Sequence, residues 1–159
     1  MHYFIGHDCT SPHGRARYLA ATGAHIAHML RDAIEDAGAG YYNIPAEVVN
    51  AHHLRPDDAG NPDYQAWVKE RVQEARSCFA AGRDYLARVE NFRCRMAGYA
   101  YIQRFEGVLD AIEAEGYRLR ADYPERKRFG SAAHMLASAW WMALSNRPAE
   151  AISGSLPAR

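Results

Sequence analysis

Apolar side chains recur at steps of three and four residues along most of the chain, which is the spacing of one buried helical face. The pattern predicts helices at about residues 15–36, 45–53, 63–89, 92–116 and 131–146, separated by segments rich in Gly, Pro, Asn and Asp. No segment alternates between apolar and polar residues for long, so we predict an all-α fold, an antiparallel helical array. Residues 1–147 are predicted to form a single domain, and residues 148–159 a disordered tail.

The polar residues of the first predicted helix fall on one narrow stripe. At 100° per residue, a roughly 100° arc holds the side chains of His25, His28, Asp32, Glu35 and Asp36. Apolar residues cover most of the remaining circumference, which predicts a buried helix whose stripe lines a polar cavity. Because Asp32 and Asp36 lie one turn apart and repel each other, a positive ligand is expected there, and a divalent metal ion is the natural candidate.

The composition narrows the choice of partner and compartment. Lys plus Arg and Asp plus Glu number 19 each, so the formal net charge is zero and no basic surface for nucleic acid is expected. The three cysteines, Cys9, Cys78 and Cys94, lack CxxC spacing, which is typical of reduced thiols in a cytoplasmic protein. The chain shows neither a signal-peptide pattern nor the roughly 18 consecutive apolar residues of a membrane span. We therefore expect a cytoplasmic location.

The acidic turn formed by Asp32, Glu35 and Asp36 offers the oxygen ligands that Mg²⁺ prefers. Since Mg²⁺ is often held by one or two carboxylates together with substrate phosphates, the turn predicts a diphosphate ligand. The basic residues Arg126 and Lys127 could hold the remaining phosphate oxygens. The alternatives are a solvated acidic helix end and a solvated basic loop, and spacing alone does not decide between them.

The two histidines of the stripe admit a different chemistry. His25, His28 and Asp32 stand at i, i+3 and i+7, a spacing that could hold zinc or iron through imidazole nitrogen and carboxylate oxygen. Their more common role is as hydrogen-bonding or core histidines. Similarly, aromatic residues such as Phe105 are typical of a helical core, although aromatic walls also suit a long apolar substrate.

Several motifs, in order, resemble the squalene/phytoene synthase family of head-to-head prenyl transferases. Residues 30–36, LRDAIED, look like the second aspartate-rich motif of that family. A Gly-aromatic stretch that ends in Pro follows at residues 40–45, GYYNIP. Residues 101–113 and the pair Gly116-Tyr117 then resemble the family's late helix and the tyrosine after it. The resemblance covers about residues 22–129 and implies part of an isoprenoid-synthase fold.

The resemblance implies an enzyme of isoprenoid biosynthesis that condenses prenyl diphosphates of farnesyl or geranylgeranyl type into a squalene- or phytoene-like product. It implies Mg²⁺ as the cofactor, bound with the diphosphate by Asp32 and Asp36 and supported by Glu35. Arg31 would act beside these two aspartates. The candidate substrate-binding residues of this chain are His25, His28, Tyr42, Phe105, Arg126 and Lys127, and the two histidines are a departure, since many members carry amide side chains at those positions.

The chain departs from the family in its length. Members use two aspartate-rich helices that face each other, and no second Asp-x-x-x-Asp motif lies upstream of Arg15. We therefore expect this chain to correspond to the C-terminal half of such an enzyme, and the sequence leaves open whether it turns over substrate alone. The alternative functions are a non-catalytic helical module, which pairs with a second copy or with a missing N-terminal half, and a His/carboxylate metalloprotein. Peripheral contact with a membrane is also left open.

Overall fold

A computed structural model describes residues 15–123, 137 and 139–145. Its helices are α1 (Ala16–Gly38), α2 (Ala46–His52), α3 (Pro62–Ala87) and α4 (Phe92–Ala114). The described residues from 137 to 145 are also helical, and no strand occurs in the described part of the chain. The all-α prediction is therefore confirmed. No helix among these residues is long and apolar enough to cross a bilayer. The predictions for residues 126–128 and for the tail lie outside the described residues.

The helix ends lie where the local sequence predicts them. Asn61 caps α3 by accepting a hydrogen bond from the backbone N–H of Asp63 at 2.9 Å. Asn91 caps α4 in the same way, accepting from the N–H of Cys94 at 3.1 Å. After α1, Gly40 adopts a φ of +86°, a left-handed conformation that residues with a Cβ rarely adopt. These local signals are independent of tertiary packing, which is why sequence reasoning finds them.

Glycines bring α1 and α3 into close contact. A Cβ built on Gly23 would lie 2.9 Å from the backbone oxygen of Ala75 and 2.9 Å from a ring carbon of Phe79. A Cβ on Gly82 would lie 2.8 Å from the Cβ of Ala20. The earlier residue of α1, Ala20, thus contacts the later residue of α3, Gly82, so the two helices are antiparallel.

Ion pairs align α3 with α4. Arg76 contacts Asp110 at 2.7 Å and Glu113 at 2.5 Å, and Arg83 contacts Glu106 at 2.6 Å. Because the higher-numbered arginine pairs with the lower-numbered acid, α4 also runs antiparallel to α3. These groups are partly exposed, so each pair contributes little to stability, but together they define the register between the helices.

A buried arginine attaches the helical residues 139–145 to this body. The Arg95 side chain lies at the junction of α3 and α4 and is 6% exposed. Its guanidinium donates to the backbone oxygens of Val89 at 2.7 Å, Glu90 at 2.9 Å and Ala143 at 3.1 Å. The buried positive charge is thus surrounded by carbonyl dipoles, which offset the cost of removing it from water.

The expectation that α1 is buried on nearly all sides is wrong. The helix buries one face against its neighbours, formed by Gly23, Ala24, Ile26, Ala27, Leu30 and Ala33. His25, His28 and Glu35 are exposed. The apolar positions of the pattern are the buried ones, but most of the polar stripe faces solvent instead of a closed cavity, so α1 is an ordinary amphipathic helix.

We expect Gly23→Ala to destabilise the protein by about 2 kcal/mol, because the new methyl group meets the backbone of Ala75, which cannot move aside as a flexible side chain would. Urea unfolding followed by circular dichroism measures the effect. Gly107→Ala is the matched control, since no atom lies within 4 Å of the added Cβ. It should leave the protein unchanged or stabilise it by up to about 1 kcal/mol. Equal effects of the two changes would contradict the close contact.

Candidate functional site

A pocket of about 330 Å³ lies at the C-terminal end of α1. It forms between the last turns of α1 and the segment that follows α4, two parts of the chain that are distant in sequence. Its lining residues are Arg31, Asp32, Glu35, Asp36, Ala121, Asp122 and Tyr123. The acidic turn predicted from sequence therefore does line a pocket, although the histidines of the same stripe do not.

Asp32 is held by positively charged or basic neighbours on its own helix. Arg31 donates to both carboxylate oxygens of Asp32, from Nε at 2.5 Å and from a terminal nitrogen at 2.7 Å. Hydrogen bonding to Asp32 raises the pKa of Arg31. The Nδ1 atom of His28 lies 3.3 Å from one of the same oxygens. A cation that binds Asp32 must therefore replace, or share the carboxylate with, the guanidinium.

Asp36 is held differently, by a neutral donor at one oxygen. The side-chain Nδ2 of Asn43 donates to Oδ2 of Asp36 at 2.6 Å. The backbone N–H of Tyr41 donates to the backbone oxygen of Asp36 at 2.8 Å, so the chain after α1 turns back over its last turn. The neighbouring Glu35 is exposed, and its carboxylate has no hydrogen-bond partner among the described residues. Asp36 and Glu35 thus each keep at least one carboxylate oxygen available to the pocket.

Asp122 and Tyr123 also line the pocket and were missed by sequence reasoning, which named only Arg126 and Lys127 in this part of the chain. Asp122 adds a carboxylate from outside α1. Tyr123 is 6% exposed, and its hydroxyl accepts a hydrogen bond from the backbone N–H of Arg120 at 3.2 Å. Burial raises the pKa of Tyr123, so its hydroxyl stays neutral near pH 7. A segment without helical periodicity carries no sequence signal for such a placement.

The charges of the pocket favour a cation. Asp32, Glu35, Asp36 and Asp122 contribute carboxylates, and Arg31 is the one basic residue among the described lining residues. Carboxylate oxygens fit Mg²⁺, which typically takes one or two of them and completes its octahedron with water and phosphate oxygens. Among the described residues, no group of three or more His, Cys, Asp or Glu side chains is close enough to hold a metal unaided. The donor set therefore suits an ion that arrives with further oxygen ligands.

The geometry gives no support to a transition-metal site on the stripe. His25 and His28 are exposed, and with Asp32 they do not form a group able to hold a metal. His28 instead pairs with Asp32 as an ordinary i,i+4 neighbour. The spacing was suitable, but the imidazoles lie on the exposed side of α1, where no second element of the described chain supplies further ligands.

Phe105 lies far from the pocket. It is half-buried on α4 and packs edge-on against Tyr101, with ring centroids 5.2 Å apart. Arg83 on α3 pairs with Glu106, the residue after Phe105, and the adjacent Gly82 contacts Ala20 near the start of α1. Phe105 therefore lies at about the same level along the helices as Ala20. Asp32 is twelve residues further along the helix, roughly 18 Å at 1.5 Å per residue. The described structure therefore does not bring Phe105 to the acidic turn.

The remaining predicted substrate-binding residues are also apart from the pocket or beyond the described chain. Tyr42 follows α1 and is 62% exposed, but it is not among the residues that line the pocket. Arg126 and Lys127 lie outside the described residues, so their contact with a phosphate stays a prediction. The pocket is nevertheless bounded by Tyr123, three residues before Arg126.

Comparison with known proteins gives one match. A family model described as squalene/phytoene synthase matches residues 16–130, which is more than half of the 159-residue chain. The match spans α1 to α4 and every described residue that lines the pocket. No curated protein matches the chain, and no solved structure matches it.

We expect Arg31→Gln to tighten the binding of Mn²⁺ to the protein in the absence of any diphosphate. The guanidinium occupies both oxygens of Asp32, and its removal should increase the affinity about fivefold, the equivalent of about 1 kcal/mol. Electron paramagnetic resonance of free Mn²⁺ measures the binding. Arg55→Gln is the matched control, since it removes a similar two-bond pair with Asp57 at an exposed loop. Unchanged or weaker binding by Arg31→Gln would show that Arg31 does not compete with a cation.

Proposed function

The chain belongs to the squalene/phytoene synthase family, and on this premise we propose that its acidic pocket binds a prenyl diphosphate together with Mg²⁺. The observation that supports the proposal is the pocket itself, in which Asp32, Glu35 and Asp36 lie together at one end of α1. The family implies prenyl diphosphate substrates in general. An acidic lining alone would repel a diphosphate. We propose that the carboxylates bind Mg²⁺, and that the metal ion in turn binds the diphosphate.

The proposed role of each residue follows from its charge and its position in the pocket. Asp32 and Asp36 are the proposed metal ligands, and Glu35 supports them from the turn between. Bound Mg²⁺ would neutralise charge on the diphosphate and stabilise it as a leaving group. Arg31 pairs with Asp32 in the described structure, and it is close enough to the pocket to donate to phosphate oxygens instead.

The proposed reaction is the head-to-head condensation of two farnesyl- or geranylgeranyl-like diphosphates, which forms one carbon–carbon bond and releases two diphosphate ions. Loss of a proton then gives a phytoene-like product, whereas a squalene-like product also requires a hydride from a reductant of nicotinamide type. The reaction begins with cleavage of an allylic C–O bond, which leaves a carbocation and releases diphosphate. Since the lining of this pocket is mostly charged, the pocket suits the diphosphate end of the substrate. The hydrocarbon chain needs a dry apolar wall, which this pocket does not provide.

Calorimetric titration with a non-hydrolysable farnesyl diphosphate analogue tests the binding proposal. The wild-type chain should bind the analogue in the presence of Mg²⁺ and lose the binding when the metal is chelated. Asp32→Ala and Asp36→Ala should each weaken Mg²⁺-dependent binding by at least about tenfold, because each removes one of the few oxygen ligands. Asp58→Ala, at an exposed loop position, is the matched control. Unchanged binding by both pocket variants would refute the assignment.

A second candidate function is a helical interaction module, and the exposed indoles of the last described helix favour it. Trp140 is 53% exposed and Trp141 is 69% exposed. Large aromatic side chains at a surface are enriched where proteins associate. If association is the function, light scattering should give a dimer mass that falls to the monomer mass in Trp141→Ser. A monomer mass for the wild-type protein at micromolar concentration would exclude self-association through this surface.

A further inference from the structure

We propose that Asn43 is a positioning residue that orients the carboxylate of Asp36 and thereby sets the metal affinity and selectivity of the pocket. The inference rests on the proposed binding of Mg²⁺ and diphosphate at that pocket. Its direct evidence is the hydrogen bond of 2.6 Å from Nδ2 of Asn43 to Oδ2 of Asp36. Asn43 is seven residues away in sequence and does not itself line the pocket.

The position of Asp36 in α1 explains why such a donor is needed. Asp36 lies in the last turn of a helix that ends at Gly38. The unpaired carbonyl groups of a helix C-terminus carry partial negative charge, which disfavours a carboxylate there. None of the residues in the last turn of α1 is basic. The amide of Asn43 supplies a compensating donor at Asp36, and it does so without adding a positive charge that would repel a cation.

Asn43 can act in this way because its backbone is fixed on both sides. On one side, the N–H of Tyr41 donates to the backbone oxygen of Asp36 at 2.8 Å. On the other side, Ile44 is buried in the core at 6% exposure. The side chain between these two anchors is half-buried, so few rotamers are open to it.

The contrast with Asp32 shows what the neutral donor achieves. Arg31 occupies both oxygens of Asp32 with a charged group, whereas Asn43 occupies only Oδ2 of Asp36. Among the described residues, the other oxygen of Asp36 accepts no hydrogen bond. Asp36 is thus already oriented with one oxygen available, while Asp32 must first exchange its partner. Outer donors of this kind commonly change metal affinity by 10–100-fold.

A fixed carboxylate should also affect the choice of ion. Mg²⁺ demands a nearly ideal octahedron with short metal–oxygen distances, whereas Ca²⁺ accepts variable geometry. Loosening Asp36 should therefore penalise Mg²⁺ more than Ca²⁺. A role limited to holding the chain after α1 in place would weaken binding of both ions alike, or of neither.

The experiment measures the concentrations of Mg²⁺ and of Ca²⁺ that half-saturate binding of the farnesyl diphosphate analogue. Asn43→Leu keeps the branched shape and the number of heavy atoms of the side chain without its donor, and Asn43→Ala removes both. In each variant we expect the half-saturating Mg²⁺ concentration to rise by about tenfold or more, and the Ca²⁺ value to rise less. Asn50→Ala, at an exposed position on α2, should leave both values unchanged.

The outcomes separate the two proposals. If the wild-type protein binds the analogue with Mg²⁺ and the Asn43 variants bind it at the same metal concentrations, the role of Asn43 is refuted while the function stands. An equal rise for Mg²⁺ and Ca²⁺ also refutes it, because that is the result of a purely structural contact. If folded wild-type protein shows no Mg²⁺-dependent binding, the function fails, and the inference fails with it.

Discussion

The close contact between α1 and α3 determines where the proposed site residues lie. Gly23 and Gly82 bring the two helices so near that a methyl group at either position would overlap the partner. Since α3 is also aligned with α4 by ion pairs, the contact sets α1 relative to the chain that follows α4. The acidic end of α1 therefore meets residues 121–123 as a consequence of packing between the apolar faces several turns away.

In the resulting pocket, the negative charges of Asp32 and Asp36 are compensated in two different ways. Asp32 is neutralised within its own helix by Arg31, whereas Asp36 is oriented by the neutral amide of Asn43. These hydrogen bonds reduce the repulsion between the closely spaced carboxylates, while the described lining keeps four acidic residues against one basic residue. The described lining therefore favours a cation.

Family membership and geometry support different parts of the functional proposal. Membership of the squalene/phytoene synthase family points to prenyl diphosphates as the class of substrate. The geometry bears on one end of such a substrate, because the lining is charged and the aromatic pair of Tyr101 and Phe105 packs elsewhere on α4. A fold can host many chemistries, so the assignment depends on the acidic pocket as well as on the match.

The sequence by itself determined the helices, their ends and the acidic turn, because these depend on periodicity, on caps such as Asn61 and on spacing within one helix. Motif order also indicated the family that the later comparison found. Only the tertiary structure decided which side of α1 faces solvent and that Asp122 joins the pocket. The same is true of Asn43, whose hydrogen bond to Asp36 depends on how the chain turns after α1. The physical reason is that periodicity reports neighbours within an element, whereas burial and contacts between distant segments depend on how the helices pack together.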